Sequence, residues 1–294
     1  MAAPPPAPHE QKVLLGIGFM LLAASILPVM NGVVQWLSLR YPSEQIVWAR
    51  VAGHLVVMLL LTLPRSGVQA FATRKPLLQL GRSVCQLSST VLYFTALVSL
   101  PLAKAAAIGF IGPFLVALLA WPMLGEKLRL PRMMAVLAAF VGVVVVMRPG
   151  GEAFQPASLL ILASTVFHAL YQVLTRMVAP YDRADTCVLW SALLGGVLLS
   201  MLVPFFWVTP TSLLDALAFL SLGVMGAGGH YFVVRAFSNG PAAVISPFHY
   251  WQIVGAVLIG VALTGLWPDA ATWAGAAIVI TAGVFLAVNE GRRR

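Results

Sequence analysis

Ten long apolar runs divide this 294-residue chain, and its charged residues fall almost entirely in the short gaps between them. The runs lie near residues 13–38, 44–64, 77–99, 102–124, 130–147, 156–178, 186–208, 213–236, 241–264 and 268–289. About 20 apolar residues are enough for a helix to cross the hydrocarbon core of a bilayer, so each run reads as a span. The runs are continuous rather than alternating in ~10-residue pieces, which selects helices over a barrel. Charged residues make up 9% of the chain and hydrophobic ones 60%, against about 25% charged in a soluble domain. A soluble globule is excluded, and ten spans leave no room for a separate soluble domain. The predicted fold class is an all-α polytopic membrane protein with ten transmembrane helices.

The basic residues set an orientation. With the N-terminus cytoplasmic, Lys12, Arg65, Arg74, Lys75, Lys127, Arg129, Arg132, Arg176, Arg183, Arg235 and Arg292 to Arg294 gather on the inner side. Arg40, Lys104 and Arg148 gather outside, and Arg50 and Arg82 lie within spans. Such an asymmetry predicts that both termini of the multi-pass chain are cytoplasmic. The net charge of +9 is scattered between apolar runs, so it makes no continuous face for nucleic acid and points to the anionic inner leaflet. Cys85 and Cys187 both fall inside apolar runs, where inert core thiols are expected rather than a disulfide or metal site. The opening MAAPPPAPHEQK lacks the charged start and small-residue cleavage pattern of a signal peptide; residues 1–12 read as a disordered Pro-rich tail and 291–294 as a basic one.

An offset of 140 residues aligns Ala96 with Ala236, Pro101 with Pro241, Ala103 with Ala243, Leu118 with Leu258 and Gly125 with Gly265. The halves share a layout: a Pro-containing turn, a span rich in small residues, a Gly-bounded loop and a last apolar span. This predicts a duplication, with repeats over 13–150 and 151–290. Five spans per half force the second copy to enter the membrane inverted, an arrangement that puts the site near the midplane between the halves.

The segments LPLAKAAAIGFIGPFLVALLAWPMLGEKL (100–128) and NGPAAVISPFHYWQIVGAVLIGVALTGLWPD (239–269), set in two five-span halves, resemble the drug/metabolite transporter superfamily, EamA type. Gly125 and Glu126 match the Gly-Glu that this family places after its fourth span, whereas the second copy has Leu266 in place of the acid. The resemblance implies an inner-membrane secondary carrier of small metabolites, and the similarity to bacterial aromatic amino acid exporters implies outward movement of amino acids by alternating access. A carrier of a nucleoside, vitamin or other metabolite is the alternative.

Polar side chains within spans usually face the bundle interior or a water-filled cavity. Gln79, Arg82, Gln86, Ser89, Thr90 and Tyr93 recur at intervals of three and four on one helical face. His168, Tyr171 and Gln172 share a face of the sixth span, and His249, Tyr250 and Trp251 bring the same chemistry to the ninth. With Asn31 and Gln35 of the first span and His230 of the eighth, the expected substrate-binding set is Asn31, Gln35, Arg82, Gln86, Tyr93, His168, Tyr171, Gln172, His230, His249, Tyr250 and Trp251. Each lone His, and Arg82, can equally serve packing. Pro28, Arg50, His54, Pro113, Gly226, Gly229 and Pro247 are assigned to gating or packing, since prolines free a carbonyl one turn back and glycines allow close helix contact.

No Asp or Glu lies deep in a span: Glu44, Asp215, Asp269 and Glu290 are near span ends. A strongly cationic substrate is therefore disfavoured, and any proton coupling falls to His168, His230 or His249. The chain lacks the metal-binding His-Glu-x-x-His helix, the Gly-x-Ser-x-Gly elbow and the P-loop. No enzyme, cofactor or nucleotide-driven pump is expected; the expected partners are a small-molecule substrate and the lipid bilayer. A passive channel is the remaining rival, and the inverted repeat favours a carrier over it.

Overall fold

A computed structural model of the protein describes residues 8–126, 129–151, 154–240 and 242–291, and among them all regular structure is helical. The helices are α1 (Pro8–Leu37), α2 (Ser43–Ser66), α3 (Pro76–Leu97), α4 (Leu102–Gly109), α5 (Gly112–Leu124), α6 (Leu130–Met147), α7 (Ala157–Val178), α8 (Ala184–Leu202), α9 (Leu213–Ser238), α10 (Ala242–Ile245), α11 (Trp251–Thr264) and α12 (Ala270–Gly291). Helix α1 begins at Pro8, inside the segment read as a tail; residues 1–7, Lys127 and Arg292 to Arg294 lie outside the described residues.

Two of the ten apolar runs are broken. The fourth splits into α4 and α5 at Phe110–Ile111, where Gly109, Gly112 and Pro113 cluster. The ninth splits into α10 and α11 around a 3-10 turn, Ser246–Tyr250, that contains Pro247. Both breaks follow from proline, which donates no backbone hydrogen bond and crowds the preceding turn. The far ends also match. Helix α5 stops at Gly125 with φ 69° and α11 at Gly265 with φ 70°, left-handed positions that glycine adopts without a Cβ penalty.

Among the described residues nine segments are long and apolar enough to cross a membrane. The tenth run is α3, whose Gln79, Arg82, Ser83, Gln86 and Thr90 lower its hydropathy. Packing explains how so polar a helix is tolerated: α3 lies against α2, α7 and α8, with Gln79, Arg82 and Ser83 buried. The outside of the bundle instead carries Leu60, Leu137, Leu220 and Leu258, as a lipid-facing belt requires.

The contacts between halves come in exchanged pairs. Helix α3 packs on α7 and α9 on α1; α2 packs on α9 and α8 on α3; α1 packs on α11 and α7 on α5. Two further pairs, α6 on α12 and α2 on α8, map onto themselves. A pseudo-two-fold relation between the halves accounts for these pairs, the expected result of an inverted repeat. Glycines set the closest crossings: a Cβ on Gly53 of α2 would stand 2.8 Å from the Cα of Gly223 of α9, so only a residue without a side chain fits there. Ala-rich α4 is buried from Leu102 to Ile108 and anchors the main apolar core with Phe94, Leu97, Phe114 and Val143.

Candidate functional site

One cavity, of about 80 Å³, lies between the halves. The first half contributes Arg50, Val51 and His54 from α2 and Gln86, Leu87 and Thr90 from α3. The second contributes Tyr171 from α7, Val188, Ser191, Ala192 and Gly195 from α8, and His230 and Val234 from α9. The glycine crossing described above positions the polar end. Arg50 and His54 flank Gly53 on α2, and His230 lies two turns beyond Gly223 on α9, so close backbone approach brings the three side chains together. The rings of His54 and His230 are 5.7 Å apart, and an Arg50 Nη lies 3.4 Å from His230 Nε2. Gly226 leaves room for the guanidinium, with Arg50 Nε 3.7 Å from where its Cβ would be.

Three polar atoms here are buried without a protein partner: Arg50 Nε, His54 Nε2 and Gln86 Oε1. Arg50 and His54 are 7% and 8% exposed, and the described residues lining the cavity include no carboxylate. A buried polar group without a hydrogen bond is costly, and a buried guanidinium more so. The arrangement is suited to receive a ligand that supplies an acceptor to Arg50, a hydrogen-bonding partner to His54 and a donor to Gln86.

Below the cavity, toward the end of the bundle that holds the chain termini, a hydrogen-bonded chain ties three helices. Arg82 is 1% exposed and donates to Thr175 Oγ (2.7 Å), Gln79 Oε1 (2.7 Å), the Cys187 carbonyl (2.6 Å) and the Tyr171 hydroxyl (3.2 Å). Gln79 in turn donates to Asp182 in the α7–α8 loop at 2.8 Å, and Asp182 also accepts from Thr73 Oγ and the Arg74 N–H of the α2–α3 loop. Partial burial pushes the Asp182 carboxyl up, but these hydrogen bonds and the Arg74 charge outweigh it and hold the group below the usual carboxylate range.

The opposite end has a counterpart. Asp215 at the start of α9 has a fully buried side chain and accepts from Tyr41 Oη (2.9 Å), Thr211 Oγ (3.2 Å) and Arg40 (3.2 Å). Gln45 exchanges two 2.9 Å hydrogen bonds with the backbone of Val208. Exchanging the halves maps the α2–α3 loop against the α7–α8 loop onto the α8–α9 loop against the α1–α2 loop. Each end is thus tied by a carboxylate between equivalent segments.

The profile of the EamA-like transporter family matches residues 14–148 and, a second time, residues 155–289. The chain belongs to the EamA-like transporter family. Curated relatives over nearly the full length of both chains include a riboflavin transporter of Rhizobium johnstonii, 28% identical over 98% of this chain and 95% of its own. An S-adenosylmethionine uptake transporter of Rickettsia conorii is 24% identical over 94% of each. A pseudopaline exporter of Pseudomonas aeruginosa is 28% identical over 92% of this chain and 95% of its own. A protein of known crystal structure, 21% identical, shares the fold with a TM-score of 0.64 over 95% of this chain and 98% of that one. This EamA-like chain is therefore a transporter of small molecules and not an enzyme, a multi-pass protein of the bacterial inner membrane.

Of the expected substrate-binding residues, the EamA-like fold brings Gln86, Tyr171 and His230 to the cavity. Arg50 and His54, assigned to gating or packing, also line it. The other expected positions sit elsewhere. Arg82 spends its donors on the brace described above. Asn31 donates to Tyr93 Oη at 3.4 Å, and Gln35 donates to the carbonyls of Leu97 and Leu100. His168 stacks on Tyr171 at 5.7 Å, and His249 faces Met20 and Phe110. Gln172 is half-buried on α7 and is not part of the cavity lining. Trp251 stands on the outer surface, 48% exposed, with its indole N–H on Ser25 Oγ. Pro28 packs under α11, where a Cβ on Gly255 would meet its ring at 2.9 Å, and Gly229 accommodates Leu27. Pro113 and Pro247 mark the helix breaks. The contribution of α8 escaped the sequence reading, because Ser191 and Gly195 are isolated small residues in an apolar run and only the helix crossing aims them inward.

Proposed function

We propose that this chain is a secondary carrier that moves a small metabolite across the membrane by alternating access, with the Arg50–His54–Gln86–His230 cavity as its binding site. The observation that carries the reading is the cavity itself: both halves wall it, and three of its buried polar atoms have no partner within the protein. An 80 Å³ space is well below the ~300–1,000 Å³ of a drug-sized ligand site, so a metabolite of that size requires one end to open. The Asp182 and Asp215 clusters are the two gates, and the repeats 13–150 and 151–290 are the parts that rock. The excess of Lys and Arg at the termini end supports a cytoplasmic location for the Asp182 gate.

The names of the relatives, for riboflavin, S-adenosylmethionine and pseudopaline, favour a vitamin-like, nucleoside-like or other specialised metabolite over the amino acids expected from the sequence. Uptake and export both occur among those names, so direction follows the gradient the cell supplies.

Flux into proteoliposomes of labelled riboflavin, S-adenosylmethionine, a nucleoside and phenylalanine tests the reading. Saturable flux of one of the first three, accelerated by the same compound on the far side, supports a metabolite carrier. Saturable flux of phenylalanine alone restores the amino acid reading, and non-saturating flux without acceleration identifies a channel. For the gates, Ser191→Cys in a background with Cys85 and Cys187 replaced by Ser reports access to the cavity. Asp182→Asn should favour labelling by an impermeant thiol reagent from the termini side and Asp215→Asn from the other; identical labelling in both variants overturns the gate assignment.

A further inference from the structure

The poorly satisfied guanidinium of Arg50 narrows the substrate further than the family does. Arg50 is buried in the low-dielectric middle of the bundle, its Nε has no partner, and its one polar neighbour within reach is His230 Nε2 at 3.4 Å. Beyond that it has the Phe94 ring face, 5.7 Å from the guanidinium carbon. Among the described residues it forms no ion pair. Arg82 provides the internal comparison. It lies on the neighbouring helix at similar burial, and every one of its guanidinium nitrogens donates to a protein acceptor. The fold can therefore satisfy a buried arginine here, and at Arg50 it leaves the demand to something that enters the cavity.

We propose that the transported molecule carries a single carboxylate, bound by Arg50 and His54, and an N–H or O–H group that donates to Gln86 Oε1. One guanidinium balances one negative charge, and its planar fork matches a carboxylate. A phosphate dianion would leave a charge uncompensated, since the lining offers no second Lys or Arg. A cationic ligand is disfavoured by the same guanidinium and by the lack of a lining carboxylate. Val51, Leu87 and Val188 form the apolar wall against the remainder of the molecule. This inference rests on the cavity being the transport site.

The test uses matched pairs that differ in the charged group: nicotinate against nicotinamide, benzoate against benzamide, and riboflavin 5′-phosphate against riboflavin. Binding to the purified full-length protein and flux in proteoliposomes are measured for the wild type, Arg50→Gln and Arg50→Lys. The expected result is that each carboxylate is preferred over its amide by roughly 10- to 100-fold, the size of a charge-assisted hydrogen bond. That preference disappears in Arg50→Gln and persists in weakened form in Arg50→Lys, with melting temperatures showing that both variants are folded. Equal handling of acid and amide overturns the proposal while leaving the carrier reading in place. A preference confined to the phosphate member overturns the choice of carboxylate. Failure of every compound to bind or move in the wild type removes both the proposal and the site on which it rests.

Discussion

Phe110 and Tyr250, 140 residues apart in the chain, meet with their ring centroids 4.9 Å apart. Each sits at the break of its helix, Phe110 between α4 and α5 and Tyr250 just before α11, and the separation equals the repeat offset. Two equivalent positions can touch only where the symmetry axis passes between them, so this pair locates the pseudo-two-fold axis. A double-mutant cycle of Phe110→Leu and Tyr250→Leu should give a coupling of about 0.5–1.5 kcal/mol beyond the single losses, the value of an aromatic pair. Thermal unfolding in detergent measures it, and additive losses would remove the pair from the axis. Gly283→Ala should be as damaging, because its Cβ would fall on the Tyr250 hydroxyl.

The α2–α9 crossing leads to a second expectation. A Cβ on Gly223 would lie 2.5 Å from the backbone of Gly53, and neither main chain can yield without moving its helix. Gly53→Ala and Gly223→Ala should each cost roughly 1–3 kcal/mol, the usual penalty of overpacking. Both should also reduce flux more than the stability loss explains, since Arg50, His54 and His230 hang on these turns. Gly18, with nothing within 4 Å of its Cβ position, is the control: Gly18→Ala should leave stability and flux near wild type.

The two buried arginines should respond oppositely. Arg82→Ala strands Gln79 Oε1 and cuts the tie among α3, α7 and α8, so a loss of about 3–5 kcal/mol is expected, as for breaking a buried charge network. Arg50→Gln removes a guanidinium the protein hardly uses for itself, so it should alter KM and leave the melting temperature within a few degrees of wild type. If Arg50→Gln unfolds the protein and Arg82→Ala does not, the assignment of brace and binding residue is reversed.

The gate proposed at Asp182 should depend on pH. In this structure its hydrogen bonds to Thr73, the Arg74 N–H and Gln79 hold the carboxyl below the usual carboxylate range; opening of the proposed gate would break them and return the pKa toward its ordinary value. Closure is then fully supported above the ordinary carboxylate value near 4, and the support is lost as pH falls through the lower closed-state value. Labelling of Ser191→Cys from the termini side should rise as pH is lowered from about 5 to 3. Because the thiolate fraction of the introduced cysteine itself falls with pH, rates are taken relative to the Asp182→Asn background at each pH, and it is this ratio that should rise.

How much of this was legible in the chain depends on the distance over which each feature is decided. Span count, helical class and the offset of 140 were readable because lipid demands ~20 apolar residues per crossing and proline and glycine punctuate locally: Gly125 and Gly265 end their helices with the same left-handed turn. The polar stripe on α3 was likewise visible, since helical periodicity alone puts Gln79, Arg82 and Gln86 on one face. What periodicity could not separate was Arg82 from Arg50. Whether a buried guanidinium is satisfied depends on carbonyls and hydroxyls from other helices, here Thr175 and Cys187, which lie about a hundred residues further along the chain. Trp251, expected in the site, faces outward, and Ser191, given no role by the sequence, lines the cavity, for a related reason: a helix has an inner and an outer face, and only its packing partners decide which is which. The sequence by itself determined that the chain is an inverted, ten-run helical membrane protein, because apolar length and turn residues act within a few residues of one another. The tertiary structure alone decided which polar groups meet one another and which buried atoms are left without a partner, because that balance is struck between helices brought together at Gly53 and Gly223.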